Sequence, residues 1–144
     1  MEYLGKTLKA HIMDHRKPLS KQTVCNFGIQ MIQIFEKLHG IGKVYNDLKP
    51  DNILFSNEDA KWNEPLKNVS LIDFGLCTDF NDDQGKHIQN QAHEKFMGNV
   101  AFASKNAMNF MKVSRRDDLI SLTYLIIYLI TGRLSFLNNN IEDS

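Results

Sequence analysis

Val44-Tyr45-Asn46-Asp47-Leu48-Lys49-Pro50-Asp51-Asn52-Ile53-Leu54 sets a carboxylate, an ammonium and a carboxamide in fixed order, and Leu71-Ile72-Asp73-Phe74-Gly75 adds a second carboxylate downstream. Pro50 keeps Asp47, Lys49 and Asn52 off a single helix face, so the spacing predicts a tight loop on which polar groups converge. Such a loop suits phosphoryl transfer to a hydroxyl. That reaction needs a carboxylate to take or orient the hydroxyl proton, a cation to offset charge on the moving group, and oxygen ligands for magnesium. These residue types cover all three needs. A solvated turn, with Asp73 a strand-end charge, is the competing reading.

The run D-L-K-P-D-N-I-L followed by D-F-G resembles the catalytic loop and magnesium loop of protein kinases. D-F-G alone carries little weight; in this order and spacing with D-x-K-P-x-N it is a strong signal. The resemblance implies that Asp47 orients the acceptor hydroxyl, Lys49 stabilises the transferring phosphoryl, and Asn52 and Asp73 hold magnesium, with ATP as donor. It also makes Leu54 and Ile72 the apolar floor of an adenine pocket, since a flat base needs apolar contact.

One domain is the natural expectation for 144 residues, and 42% hydrophobic with 24% charged residues is ordinary for a globular chain. Acidic and basic residues balance to a formal net charge of +0, so no overall field favours nucleic acid or an anionic membrane. Recognition must be local. Cys25 and Cys77 lack paired metal-ligand spacing and fit a reducing, intracellular setting, cytoplasmic or nuclear. Met1-Glu2 is followed by no signal-peptide pattern, and the apolar run Leu119 to Ile130 is too short to span a bilayer.

Along the chain, Met1-Glu2-Tyr3-Leu4-Gly5 opens as a short apolar segment, with weak helical patterning from Lys6 to Met13. It resembles the hinge of the casein kinase one family, which would turn the backbone of Glu2 and Leu4 towards the nucleotide base and make Met1 the gatekeeper. Ser20 is a good N-cap for the amphipathic repeat Val24, Phe27, Gly28, Met31, Phe35 and Leu38, predicting a helix from about Lys21 to Leu38. His39 is read as a cation at that helix's C-terminus, and His11 and His15 likewise as helix-end partners. Ser56 to Asn68 reads as a surface loop in which Trp62 is a packing anchor, and Val69-Ser70-Leu71-Ile72 as a short strand presenting Asp73. Asp79 to Gln91 reads as an exposed, mobile activation segment.

Gly98-Asn99-Val100-Ala101-Phe102-Ala103-Ser104-Lys105-Asn106 and Ser114-Arg115-Arg116-Asp117-Asp118-Leu119-Ile120-Ser121-Leu122 narrow the resemblance. The casein kinase one group has a similar G-T-A-x-Y-A-S-x-N segment, followed by S-R-R-D-D-L-x-S-L. Ser114 can cap the next helix, with Asp117 and Asp118 in its first turn where negative charge suits the dipole. Leu119 to Ile130 is apolar on nearly every face and predicts a helix buried all round, ending at Gly132. By resemblance Asp118 anchors the catalytic-loop backbone. Arg115 and Arg116 suit an anion such as a phosphorylated substrate residue, a solvated face being the alternative.

The chain departs from the family at Tyr45-Asn46-Asp47, where the pattern is H-R-D. The arginine lost at Asn46 pairs in many kinases with activation-segment phosphate, a switch on which casein kinase one relatives do not depend. The resemblance spans nearly all of Met1 to Leu137 but only the middle of a kinase domain. The fold expected is α+β, mainly α: a truncated C-terminal lobe over residues 1–144, with short β-hairpins around the catalytic loop and a central buried helix. No Gly-rich loop or phosphate-binding strand lysine is in the sequence, so the chain alone is expected to be slow or inactive. The function expected of the complete domain is phosphorylation of serine and threonine in acidic or phosphate-primed protein substrates. A pseudokinase or interaction module is the alternative, with a partner covering the apolar surface of the lobe.

Overall fold

Val24, Phe27, Gly28, Met31 and Phe35 form the buried stripe of α2 (Lys21–Gly40), the longest element among the described residues. The computed structural model describes residues 5–56 and 64–135. Ser20 caps α2 as expected, its hydroxyl accepting from the Thr23 amide at 3.2 Å. Two β-residues and α1 (Leu8–His15) precede it: β1 (Lys6–Thr7) leads directly into α1, whose N-cap Thr7 accepts from the Ala10 amide. Downstream come β2 (Lys43–Val44), a 3-10 turn (Pro50–Asn52), β3 (Ile53–Phe55), β4 (Ser70–Leu71) and β5 (Thr78–Asp79). The helices α3 (Lys105–Met108) and α4 (Arg115–Thr131) complete the order. The protein is thus mainly helical with small sheets.

Two antiparallel sheets frame the loop 45–52. In one, β3 lies between β1 and β4, with Thr7 opposite Leu54 and Ile53 opposite Leu71. In the other, β2 pairs with β5, Val44 opposite Thr78. The loop therefore leaves one sheet and enters the other, and both of its ends are held by backbone hydrogen bonds.

Behind the loop, α2 packs on α4, and at Gly28 an added Cβ would stand 3.4 Å from Ile126 Cδ1. The core joins Phe27, Met31 and Phe35 of α2 to Leu122, Leu125 and Leu129 of α4 and to Tyr45, Leu48, Ile53 and Phe55. Removing this apolar area from water is the main favourable term. The all-round burial expected of α4 is not seen. Asp118, Ser121, Leu122, Leu125 and Leu129 are buried, whereas Leu119 and Ile127 are 45% and 42% exposed. Among the described residues, α2 packs on α4, and the exposure of Leu119 and Ile127 marks a face left partly open to solvent. Apolar composition set the expectation, but burial depends on what packs against each face.

His11 also departs from its expected place as a helix-end cation. It is 2% exposed and its ring meets Phe55 edge-on at 5.2 Å, while His15 does occupy the last turn of α1. Burial first, then the neighbouring His15 and Lys6, hold the His11 imidazole below its ordinary value of 6.5, with Asp14 pulling the other way. The folded state binds this proton at lower pH than the unfolded chain does. Its contribution to stability is therefore complete above pH 6.5 and is lost as pH falls below it. Urea midpoints measured across that range are expected to drop on the acid side, and His11→Leu to flatten the drop; identical slopes would show that His11 does not titrate on unfolding.

Candidate active site

The loop between β2 and β3 gathers Asp47, Lys49 and Asn52 into one hydrogen-bonded cluster. Asp47 Oδ2 accepts from Lys49 Nζ at 2.7 Å and from Asn52 Nδ2 at 2.8 Å, and Asn52 Nδ2 also reaches the Asp47 carbonyl at 3.0 Å. Asp47 and Asn52 are 4% and 5% exposed, so these bonds hold both rotamers in a largely dry setting where charge-assisted contacts are strong. Pro50 opens the 3-10 turn that swings Asn52 back under Asp47, which explains how residues five apart converge without a helix.

Asp73 reaches the same place along a different element. Strand β4 pairs with β3, the Ile72 amide donates to the Asn52 carbonyl at 3.0 Å, and Asp73 follows in a left-handed conformation at φ 59. Aspartate tolerates that region, and Asp73 Oδ1 accepts from the Gly75 amide at 3.3 Å. Asp73 is exposed. Tyr45 ties the two loops together: its buried hydroxyl donates to the Ile72 carbonyl at 2.5 Å. Burial holds this phenol well above its ordinary value of 10; the Asn52 amide opposes the shift, while the Asp47, Asp73 and Cys77 charges add to it. Leu54 is buried in β3, and Ile72 is half-buried at the end of β4.

A family model described as protein kinase domain matches residues 1–144. The chain belongs to the protein kinase family. It is 35% identical over 136 residues to the casein kinase 1-like protein HD16 of Oryza sativa subsp. japonica, covering 93% of this chain and 19% of that protein. To the casein kinase I homolog RAG8 of Kluyveromyces lactis it is 36% identical over 136 residues, covering 93% and 25%. To a probable casein kinase I homolog of Encephalitozoon cuniculi it is 31% identical over 135 residues, covering 93% and 42%. The chain spans less than half the length of each of these relatives. The resemblance to casein kinase one read from the sequence is borne out.

The carboxylate of Asp118 lies beneath the 45–52 loop. It is 2% exposed and accepts from the amides of Tyr45 at 2.8 Å and Asn46 at 2.9 Å. His39 Nε2 joins it at 2.9 Å, so the histidine expected only to meet the α2 dipole also meets a carboxylate on α4. Asp117, read as a first-turn charge, does more as well. It receives the Ser104 hydroxyl at 2.6 Å and the Ser114 amide at 2.8 Å, joining the start of α3 to that of α4. Ser104 and Asp117 lie 13 positions apart, and no local spacing signals such a pair.

Arg115 and Arg116 are exposed, with Arg115 Cζ 4.7 Å from the centre of the Phe80 ring and Arg116 reaching Asn90 Oδ1 at 3.3 Å. The activation segment is largely exposed as expected, yet Phe80 is buried and His87 Nε2 lies 2.9 Å from Ser114 Oγ. Burial pushes the Cys77 thiol up, with the Asp118 charge adding to it, which disfavours a reactive thiolate. Met1, Glu2, Leu4 and Trp62 lie outside the described residues.

Among the described residues no group of three His, Cys, Asp or Glu side chains gathers to hold a metal. One carboxylate and one carboxamide, Asp73 and Asn52, suit magnesium, which is bound by few protein oxygens together with substrate phosphates. Because Asn52 commits its Nδ2 to Asp47, its carbonyl oxygen is the side-chain atom left to face a cation.

Gly98 closes over this site. Its φ is +111, and a Cβ there would lie 2.2 Å from the Asn46 carbonyl oxygen. Gly98→Ala is expected to cost about 1–3 kcal/mol through backbone strain and that collision. Thermal unfolding checks this; an unchanged midpoint would show that the segment moves aside freely.

Proposed function

We propose that the protein is a serine/threonine kinase of casein kinase one type, transferring the γ-phosphoryl group of MgATP to protein hydroxyls, and that residues 1–144 are part of its C-terminal lobe. The observation that carries this reading is the cluster Asp47–Lys49–Asn52, with Asp73 held beside it by the Ile72–Asn52 backbone bond. When bound, ATP would supply the electrophilic γ-phosphorus, and its magnesium ion would offset charge on the phosphate oxygens. Asp47 receives both of its side-chain hydrogen bonds on Oδ2, so Oδ1 is the oxygen that meets the acceptor hydroxyl and draws its proton. Lys49, fixed by Asp47, offsets negative charge on the moving group. Asn52 and Asp73 would hold the metal, and Leu54 and Ile72 would lie beneath the adenine. Asp118 keeps the loop in register by holding two of its amides.

Acidic or phosphate-primed sites are the proposed substrates, on the strength of Arg115 and Arg116 exposed at the start of α4. The test uses the full-length protein with radiolabelled ATP and three peptides: acidic, phosphoserine-primed and neutral. Magnesium-dependent labelling of serine or threonine is expected, strongest on the first two. No labelling of any peptide would overturn the kinase reading; equal labelling of all three would overturn only the substrate preference.

A further inference from the structure

Asn46 replaces the arginine of the family pattern, and its surroundings run to three separate segments. Its amide nitrogen donates to Asp118 on α4, and its carbonyl lies beneath Gly98. Its side-chain Nδ2 donates to the Leu76 carbonyl at 2.7 Å and to Thr78 Oγ1 at 3.0 Å. We propose that Asn46 is a positioning residue whose carboxamide fastens the segment following Asp73 onto the catalytic loop, as a neutral brace that needs no phosphate. This rests on the kinase reading for what the segment does, and on geometry alone for what holds it.

Three observations support the brace. The orientation of the amide is set by chemistry, because turning it over would place Oδ1 against the Leu76 carbonyl, acceptor on acceptor. Asn46 Oδ1 is buried without a hydrogen-bond partner, and it is the only such side-chain atom among the described residues. That cost is tolerated where the opposite end of the amide makes two bonds at once. Its backbone is left-handed at φ 70, a conformation asparagine accepts more readily than arginine or other long side chains. Thr78, one of the two residues it grips, also lies in the pairing of β5 with β2, so the brace acts where the activation segment starts.

Hydrogen exchange on the full-length protein tests this with two variants that both tolerate the left-handed backbone. Asn46→Asp keeps the shape but exchanges the donor for an acceptor, and Asn46→Gly removes the side chain. Both are expected to speed exchange of the amides of residues 76–80 about tenfold, the loss of one or two hydrogen bonds, and to leave α2 and α4 unchanged. Thr78→Val is expected to give a smaller rise in the same stretch and to add nothing in the Asn46→Gly background, because its partner is already gone. Unchanged exchange over 76–80 overturns the proposal. So does a rise in only one of the Asn46 variants, or an equal rise throughout α2 and α4. The readout needs no catalysis, so failure of the kinase reading shows separately in the peptide assay.

Discussion

Asp47→Asn in the full-length protein is expected to lower kcat for peptide phosphorylation by at least about a hundredfold while leaving the fold intact. Asparagine keeps an oxygen that can accept from Lys49 Nζ or Asn52 Nδ2, the two groups that now meet Asp47 Oδ2 at 2.7 and 2.8 Å. It offers no basic oxygen to the incoming hydroxyl. The loss should therefore fall on kcat, with little change in KM for ATP, because the residues proposed to hold nucleotide and metal are untouched. Turnover equal to that of the unaltered protein would remove Asp47 from the role given to it. A parallel fall in thermal midpoint would assign the effect to folding instead.

Asp118→Ala is expected to have the largest effect on stability, about 3–5 kcal/mol. The substitution strips the acceptor from the buried Tyr45 amide, the part-buried Asn46 amide and His39, at a position 2% exposed. Asp118→Asn should cost nearly as much. Its single carbonyl oxygen can serve one side of the site, while its NH2 group faces a donor on the other. Urea denaturation followed by circular dichroism measures both. Denaturation midpoints within experimental error of the unaltered protein would mean that the catalytic loop holds its course without this carboxylate.

The contrast between these residues shows how far the sequence could be read. The convergence of Asp47, Lys49 and Asn52 was legible because neighbours on a short loop that contains a proline meet whatever surrounds them. The α2 stripe was legible for a similar reason: its repeat is a local property of the helix, and Ser20 announces its start. The burial of α4 was not. Leu119 and Leu122 look alike as letters, yet one is exposed and the other buried because packing partners cover only one face.

By itself, the sequence determined which side chains gather on the 45–52 loop, where the long helices begin, and which family of kinases the chain resembles. Tertiary structure alone decided that His39 and two loop amides share the Asp118 carboxylate, that Asp117 joins Ser104 to Ser114, and that Asn46 grips Leu76 and Thr78. Such contacts join residues far apart in the chain, through buried polar atoms that must find partners. No local periodicity or spacing encodes which distant atom answers each one.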